Sequence, residues 1–200
     1  MVDKNDAAEL MPIKAKPYNH QVQAFKFACR LFVILPSSFK SGGVALHMEM
    51  GCGKTIVSIA IAGALYLVGK VKRMVIVAPL SILSVWSEEL EKFATYDYSV
   101  VVLKGTGKKK QEQLENFSGD GLQIAIVNYE SAWRIEKSLI RWNPDLVIAD
   151  EAHKMKEART SQSKGMHSIG AHATYRLLQN CNFVGSTELC RAYNFIADRN

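Results

Sequence analysis

Short, almost wholly apolar runs alternate along this chain with segments of helical spacing, and that alternation restricts the fold more than any other feature. The runs are Val44–Met48 (VALHM), Arg73–Ala78 (RMVIVA), Ser99–Leu103 (SVVVL), Gln123–Asn128 (QIAIVN) and Asp145–Ala149 (DLVIA). Strands that are apolar on both faces belong in a parallel sheet with helices on each side. Between them the spacing predicts helices over His20–Leu35, Thr55–Val68, Ser81–Phe93, Lys110–Phe117 and Ser131–Trp142. In the first of these Val22, Phe25, Phe27, Ala28, Leu31, Phe32 and Ile34 fall at helical spacing, and Pro36 ends it. The expected fold class is α/β, a parallel sheet flanked by helices on both faces.

Two hundred residues give room for one domain. A hydrophobic fraction of 48% beside a charged fraction of 22% suits a globular chain and argues against disorder. The net charge of +6 permits a polyanionic partner without requiring one. The four cysteines, Cys29, Cys52, Cys181 and Cys190, form no CxxC pair and read as reduced thiols of a cytosolic protein. The polar start (MVDKNDAAEL) is unlike a signal peptide. The longest uncharged run, Thr55–Gly69, falls short of the roughly 20 apolar residues needed to span a bilayer and reads as a buried helix. The expected location is the cytoplasm.

Two motifs carry chemistry. Gly51-Cys52-Gly53-Lys54-Thr55 lies between an expected strand and an expected helix. Glycines there let successive backbone N–H groups point at a phosphate chain. Lys54 adds a positive charge for the β- and γ-phosphates, and the Thr55 hydroxyl can ligate Mg²⁺. The strict pattern would place glycine at position 48, where this chain has Met48. The second motif, Asp150-Glu151-Ala152-His153, follows an apolar strand. A carboxylate at a strand's C-terminal end faces the crevice where α/β proteins hold ligands. Asp150 is the candidate Mg²⁺ ligand and Glu151 the residue that polarises an attacking water. Taken singly, the first motif also reads as a glycine-rich turn and the second as an acidic helix start. Their joint occurrence favours ATP and Mg²⁺.

With these residues in view the chain resembles the first, RecA-like motor domain of superfamily-two helicases, in the Swi/Snf-like translocase branch and its compact phage or prophage members. PYNHQVQAF (Pro17–Phe25) is similar to the branch's adenine-reading motif, with Gln21 at the key place. MEMGCGKT (Met48–Thr55) resembles its phosphate loop, with Met48 in place of the usual acid. APLSILSVWSEELEKF (Ala78–Phe93) resembles motif Ia, VNYESA (Val127–Ala132) motif Ib and DEAHKMK (Asp150–Lys156) the metal box. The resemblance covers roughly residues 17 to 178. It implies an ATP-driven motor that tracks along duplex DNA in a bacterial or phage-infected cell. It also implies adenine contact by Gln21, and DNA-backbone contact by motif Ia through residues such as Pro79 and Ser81.

Two departures qualify what the resemblance implies. After Tyr175–Leu178 the family carries an LTGTP-type motif III, whereas this chain reads QNCNFVGSTEL (Gln179–Leu189). The family motor also has a second RecA-like domain that supplies arginine fingers. The organisation expected is a polar lead-in at 1–15, the RecA-like domain at 16–178 and a diverged segment at 179–200, with a separate chain supplying the second domain. The alternative is a non-catalytic nucleotide- or DNA-binding remnant. KGTGKKK (Lys104–Lys110) is expected as a basic glycine loop whose Lys108, Lys109 and Lys110 face either nucleic-acid phosphates or only solvent. Trp86, Trp133 and Trp142 are expected in the core rather than stacked on bases.

Overall fold

The structure, a computed structural model, describes residues 11–49, 51–152, 159–179 and Phe195. Its elements run α1 (Asn19–Leu31), β1 (Gly43–Leu46), α2 (Lys54–Leu67), β2 (Arg73–Ala78), a 3-10 turn (Leu80–Ile82), α3 (Leu83–Phe93), β3 (Tyr98–Val102), α4 (Gly107–Glu115), β4 (Leu122–Asn128), α5 (Tyr129–Arg134), α6 (Glu136–Trp142), β5 (Leu146–Ala149), α7 (Ser161–His172) and β6 (Tyr175–Gln179). The six strands form one sheet in the order β1-β6-β5-β2-β4-β3, and every pairing is parallel. This is the parallel α/β sheet that the apolar runs predict, of the RecA-like type that the resemblance implies.

Strand alternation divides the core into two layers. Met74, Ile76, Ile124, Ile126, Leu146, Ile148 and Leu177 face α1, α2 and α3. Val75, Val77, Ala125, Val127, Val147, Ala149 and Leu178 face α4 to α7. Helix α2 is apolar nearly all round and buried from Ile56 to Leu65, as a helix packed between its neighbours and the sheet must be. Among the described residues no helix is long and apolar enough to cross a membrane.

Several local expectations change. Helix α1 stops at Leu31, four residues early, because Val33 takes a left-handed conformation (φ 54°) and the N–H groups of Ile34 and Leu35 return to the Cys29 carbonyl at 2.8 and 3.1 Å. The basic glycine loop is instead the start of α4: the Thr106 side chain caps the helix by accepting from the Lys109 N–H at 3.3 Å, and Lys108–Lys110 occupy its first turns. The single helix expected over Ser131–Trp142 is two, broken at Ile135 (φ −109°, ψ 21°), whose side chain is buried. Helix α7 was not expected at all. The last residues of the supposed loose lead-in are docked: Met11 is buried, Ile13 bridges Ala94, and the Lys14 N–H donates to the Phe93 carbonyl at 2.8 Å. His153, the rest of the DEAHKMK match, and nearly all of segment 179–200 lie outside the described residues.

Candidate nucleotide and metal site

Because all strands are parallel, everything that follows a strand emerges at one edge of the sheet. The phosphate loop follows β1 and the acidic box follows β5, with only β6 between those strands. Two inter-strand spacings put them roughly 10 Å apart, a gap that a metal-bound phosphate chain can fill.

The loop is shaped by two left-handed glycines, Gly51 (φ 81°) and Gly53 (φ 75°). Gly53 is doubly constrained, since a Cβ there would collide with the Gln21 side-chain amide. Helix α2 begins at Lys54, so its unpaired N-terminal N–H groups face the crevice. Lys54 is buried, and its Nζ donates to the Met48 and Glu49 carbonyls at 2.8 Å each. The lysine is thus held by backbone oxygens, and the Met48 side chain plays no part in that contact. Thr55 is half-buried in the first turn of α2, and Cys52 is half-exposed in the loop.

Gln21 sits against this loop. Its Nε2 donates to the Cys52 carbonyl at 3.1 Å, and its Oε1 accepts from the Tyr18 N–H at 3.0 Å. The His20 ring nitrogen Nε2 also contacts the Cys52 carbonyl, at 3.0 Å. Tyr18, largely exposed, stacks on the His20 ring with centroids 5.7 Å apart. The sequence reading singled out Gln21 but missed His20, which only its closeness to the loop identifies.

Asp150 is the next residue beyond β5. It continues the alternation of Leu146 and Ile148, so its carboxylate falls on the α2–α3 side of the sheet, the side of the phosphate loop. Burial pushes its pKa up. Hydrogen bonds from Trp86 and the Glu151 N–H pull it back, the Glu151 charge raises it, and the Lys54 charge lowers it. The Trp86 Nε1–H donates to Oδ2 at 3.0 Å and the Glu151 N–H to Oδ1 at 2.9 Å. Glu151 is half-exposed in a left-handed conformation (φ 54°). For a residue with a Cβ this costs about 1–3 kcal/mol, and such outliers cluster at working sites. Gln179, at the end of β6, is buried between loop and box, and its amide donates to Ser58 of α2.

These residues fit Mg²⁺. A buried carboxylate within reach of a lysine's field and a hydroxyl on the loop helix are hard oxygen donors. Among the described residues no group of three His, Cys, Asp or Glu gathers, so they offer no all-protein cage.

The candidate DNA residues lie further along the same edge of the sheet. A groove of about 500 Å³ is lined by Leu80, Ser84, Lys104, Lys110, Ser131 and Arg134, among others. Lys110 donates to Ser131 across it. Ser81 is exposed and Pro79 half-exposed beside Leu80; Lys108 and Lys109 are exposed on α4 without lining the groove. Lys104, Lys110 and Arg134 outnumber the one carboxylate of the lining, Glu130, and Arg134 carried no signal in the sequence.

Comparisons with known proteins point one way. Residues 20–178 match the family described as SNF2-related domain. The chain is 31% identical over 163 residues to the DNA excision repair protein ERCC-6-like of Danio rerio, covering 78% of this chain and 11% of that protein. It is 33% identical over 144 residues to the chromodomain-helicase-DNA-binding protein 1-like of Mus musculus, covering 68% of this chain and 15% of that protein. It therefore spans only a small part of the length of these relatives. The solved SWI2/SNF2 ATPase core of Sulfolobus solfataricus in complex with dsDNA superposes with a TM-score of 0.79 at 22% identity, over 95% of this chain and 37% of that one. At that identity the likeness speaks for the fold. The family match runs from the helix that carries Gln21 to the strand that ends beside the phosphate loop, and on that ground the chain belongs to the SNF2-related domain family.

Proposed function

We propose that these residues bind Mg-ATP between the phosphate loop and the acidic box, and serve as the ATP-binding half of a Swi/Snf-like motor moving on duplex DNA in a bacterial or phage-infected cell. The observation that carries this reading is that Lys54 and Asp150, both buried, lie at the same edge of the sheet and on the same side of it. Lys54 starts the loop helix and Asp150 stands just beyond β5, with only β6 between their strands; burial raises the Asp150 pKa and the Lys54 charge lowers it. In this reading Lys54 redirects its ammonium from the Met48 and Glu49 carbonyls toward the β- and γ-phosphates. The backbone N–H groups of Gly51–Thr55 receive the phosphate oxygens. Thr55 and Asp150 would hold Mg²⁺, whose charge would offset that of the phosphates. Glu151 orients the attacking water and accepts its proton. A second RecA-like domain, on another chain or a further part of a longer one, supplies the arginines.

Base choice tests the nucleotide half of this reading. Gln21 can offer a donor and an acceptor to the adenine edge. ATP then binds more tightly than GTP, by about tenfold or more, since the wrong base leaves buried polar groups unpaired. Gln21→Ala erases most of the difference. Titration calorimetry with both nucleotides measures this, and a wild type indifferent to the base refutes the role of Gln21.

Salt dependence tests the DNA half. Lysines and arginine around the groove, together with the N-terminus of α4, suit phosphates rather than base edges. Three lysines in the first turns of a helix oppose its dipole unless an anion lies between them. Binding to duplex DNA is therefore expected to be insensitive to sequence and to weaken steeply with salt. Replacing Lys108, Lys109 and Lys110 by alanine lowers the log–log slope by about 0.9 for each phosphate that the lysines no longer neutralise. An unchanged slope would assign the three lysines to the solvated surface.

A further inference from the structure

Asp150 receives hydrogen bonds from two helices that are distant in sequence. From α3 the Trp86 indole N–H reaches Oδ2 at 3.0 Å, in a contact where both residues are buried. From α5 the Tyr129 hydroxyl, also buried, donates to the Asp150 main-chain carbonyl at 2.7 Å. The Glu151 N–H takes the other carboxylate oxygen at 2.9 Å. One N–H on each oxygen fixes the plane of the carboxylate, and the Tyr129 bond fixes the backbone that carries it.

We propose that Trp86 and Tyr129 are positioning residues for the metal site, Trp86 setting the rotamer of the Asp150 carboxylate and Tyr129 its main chain. The proposal rests on the Mg-ATP reading above. An aspartate has two soft side-chain torsions, and a metal needs its oxygen within a few tenths of an ångström. Outer partners that orient a ligand carry a measurable share of metal affinity. A buried tryptophan also has its own reason for such a partner, because an indole N–H left without an acceptor in the core is costly. Here the acceptor is the side chain that follows β5 and turns toward the phosphate loop. The same two helices line the basic groove, α3 through Leu83 and Ser84 and α5 through Glu130, Ser131 and Arg134. The metal ligand is thus hydrogen-bonded directly to the elements proposed to face DNA.

The test separates metal-dependent from metal-independent binding. Calorimetry gives ATP affinity in excess Mg²⁺ and in excess EDTA for the wild type, Trp86→Phe, Tyr129→Phe and the control Trp133→Phe. The expected result is that Trp86→Phe reduces the Mg²⁺-dependent gain in affinity about tenfold, as for loss of one charge-assisted hydrogen bond. Its EDTA value stays within twofold. Tyr129→Phe acts in the same direction more weakly, and Trp133→Phe not at all. A Mg²⁺-dependent gain unchanged in Trp86→Phe overturns the proposal. A wild type that binds no ATP instead overturns the reading it rests on. If Trp86→Phe does not fold, the wild type still decides. Its three indole N–H resonances are assigned by elimination with Trp133→Phe and Trp142→Phe. The Trp86 signal is expected to move more on adding Mg-ATP than on adding metal-free ATP, and equal movement overturns the proposal.

Discussion

Lys54→Ala is expected to lower Mg-ATP affinity by about a hundredfold or more. Two charge-assisted hydrogen bonds to phosphate, each contributing about 1.5–3 kcal/mol, would give a still larger loss. The smaller figure follows from the free protein. There the Lys54 ammonium already satisfies the Met48 and Glu49 carbonyls at 2.8 Å, so binding exchanges hydrogen bonds rather than creating them. The substitution also removes the cation that offsets the charge on Asp150, which burial already disfavours. A lower melting temperature should therefore accompany the lower affinity. Calorimetric titration of wild type and variant at matched Mg²⁺ measures the affinities. Equal values would show that the phosphate site lies elsewhere.

The second large effect concerns turnover. The 200 residues by themselves are expected to hydrolyse ATP barely, without stimulation by DNA. Water placed by Glu151 and charge absorbed at the metal supply only part of the transition-state stabilisation. In the reading proposed above, arginines on a second RecA-like domain supply the remainder; arginine fingers contribute about 10³–10⁵ in rate in other NTPases. Among the described residues there is one sheet and no second domain. The sequence after Leu178 also departs from the motif III that the resemblance implies. Beyond Leu178 stands Gln179, whose amide is bonded to Ser58 on the loop helix. Both differences should lower turnover and leave ground-state binding largely intact. Steady-state phosphate release at saturating ATP, with and without duplex DNA, is the measurement. A fast, DNA-stimulated rate abolished by Glu151→Gln would show that these residues, as an oligomer, form a complete motor.

Much of the fold was legible because its signals are local. Apolar runs with no polar face announce buried parallel strands, and Arg73–Ala78 matches β2 residue for residue. Elements without such a signal were lost. Helix α7 (SQSKGMHSIGAH) is largely polar with two glycines, so packing of Met166 and Ile169 on the second layer, rather than any pattern in the sequence, gives it away. The break at Ile135 has no glycine or proline to mark it. The start of α4 was hidden because lysines beside glycines read as loop, whereas the Thr106 cap outweighs them.

The site divides in the same way. The glycines, Lys54, Thr55, Asp150 and Glu151 could be picked from the sequence, because phosphate and metal chemistry demands those residue types next to strand ends. What surrounds them could not. Trp86 looked like one more core tryptophan, and its partner Asp150 is 64 residues away. His20, Gln21 and Cys52 converge across about thirty positions, and Gln179 reaches Ser58 across more than a hundred. The sequence determined which residues can carry charge, bind phosphate or turn tightly, since those are properties of single side chains and their immediate neighbours. The tertiary structure alone decided which of them meet. Strand order places β6 between loop and box, and strand alternation turns Asp150 toward Trp86 and Lys54 rather than toward the opposite layer. Both are set by the packing of the whole sheet, and no short stretch of the chain encodes them.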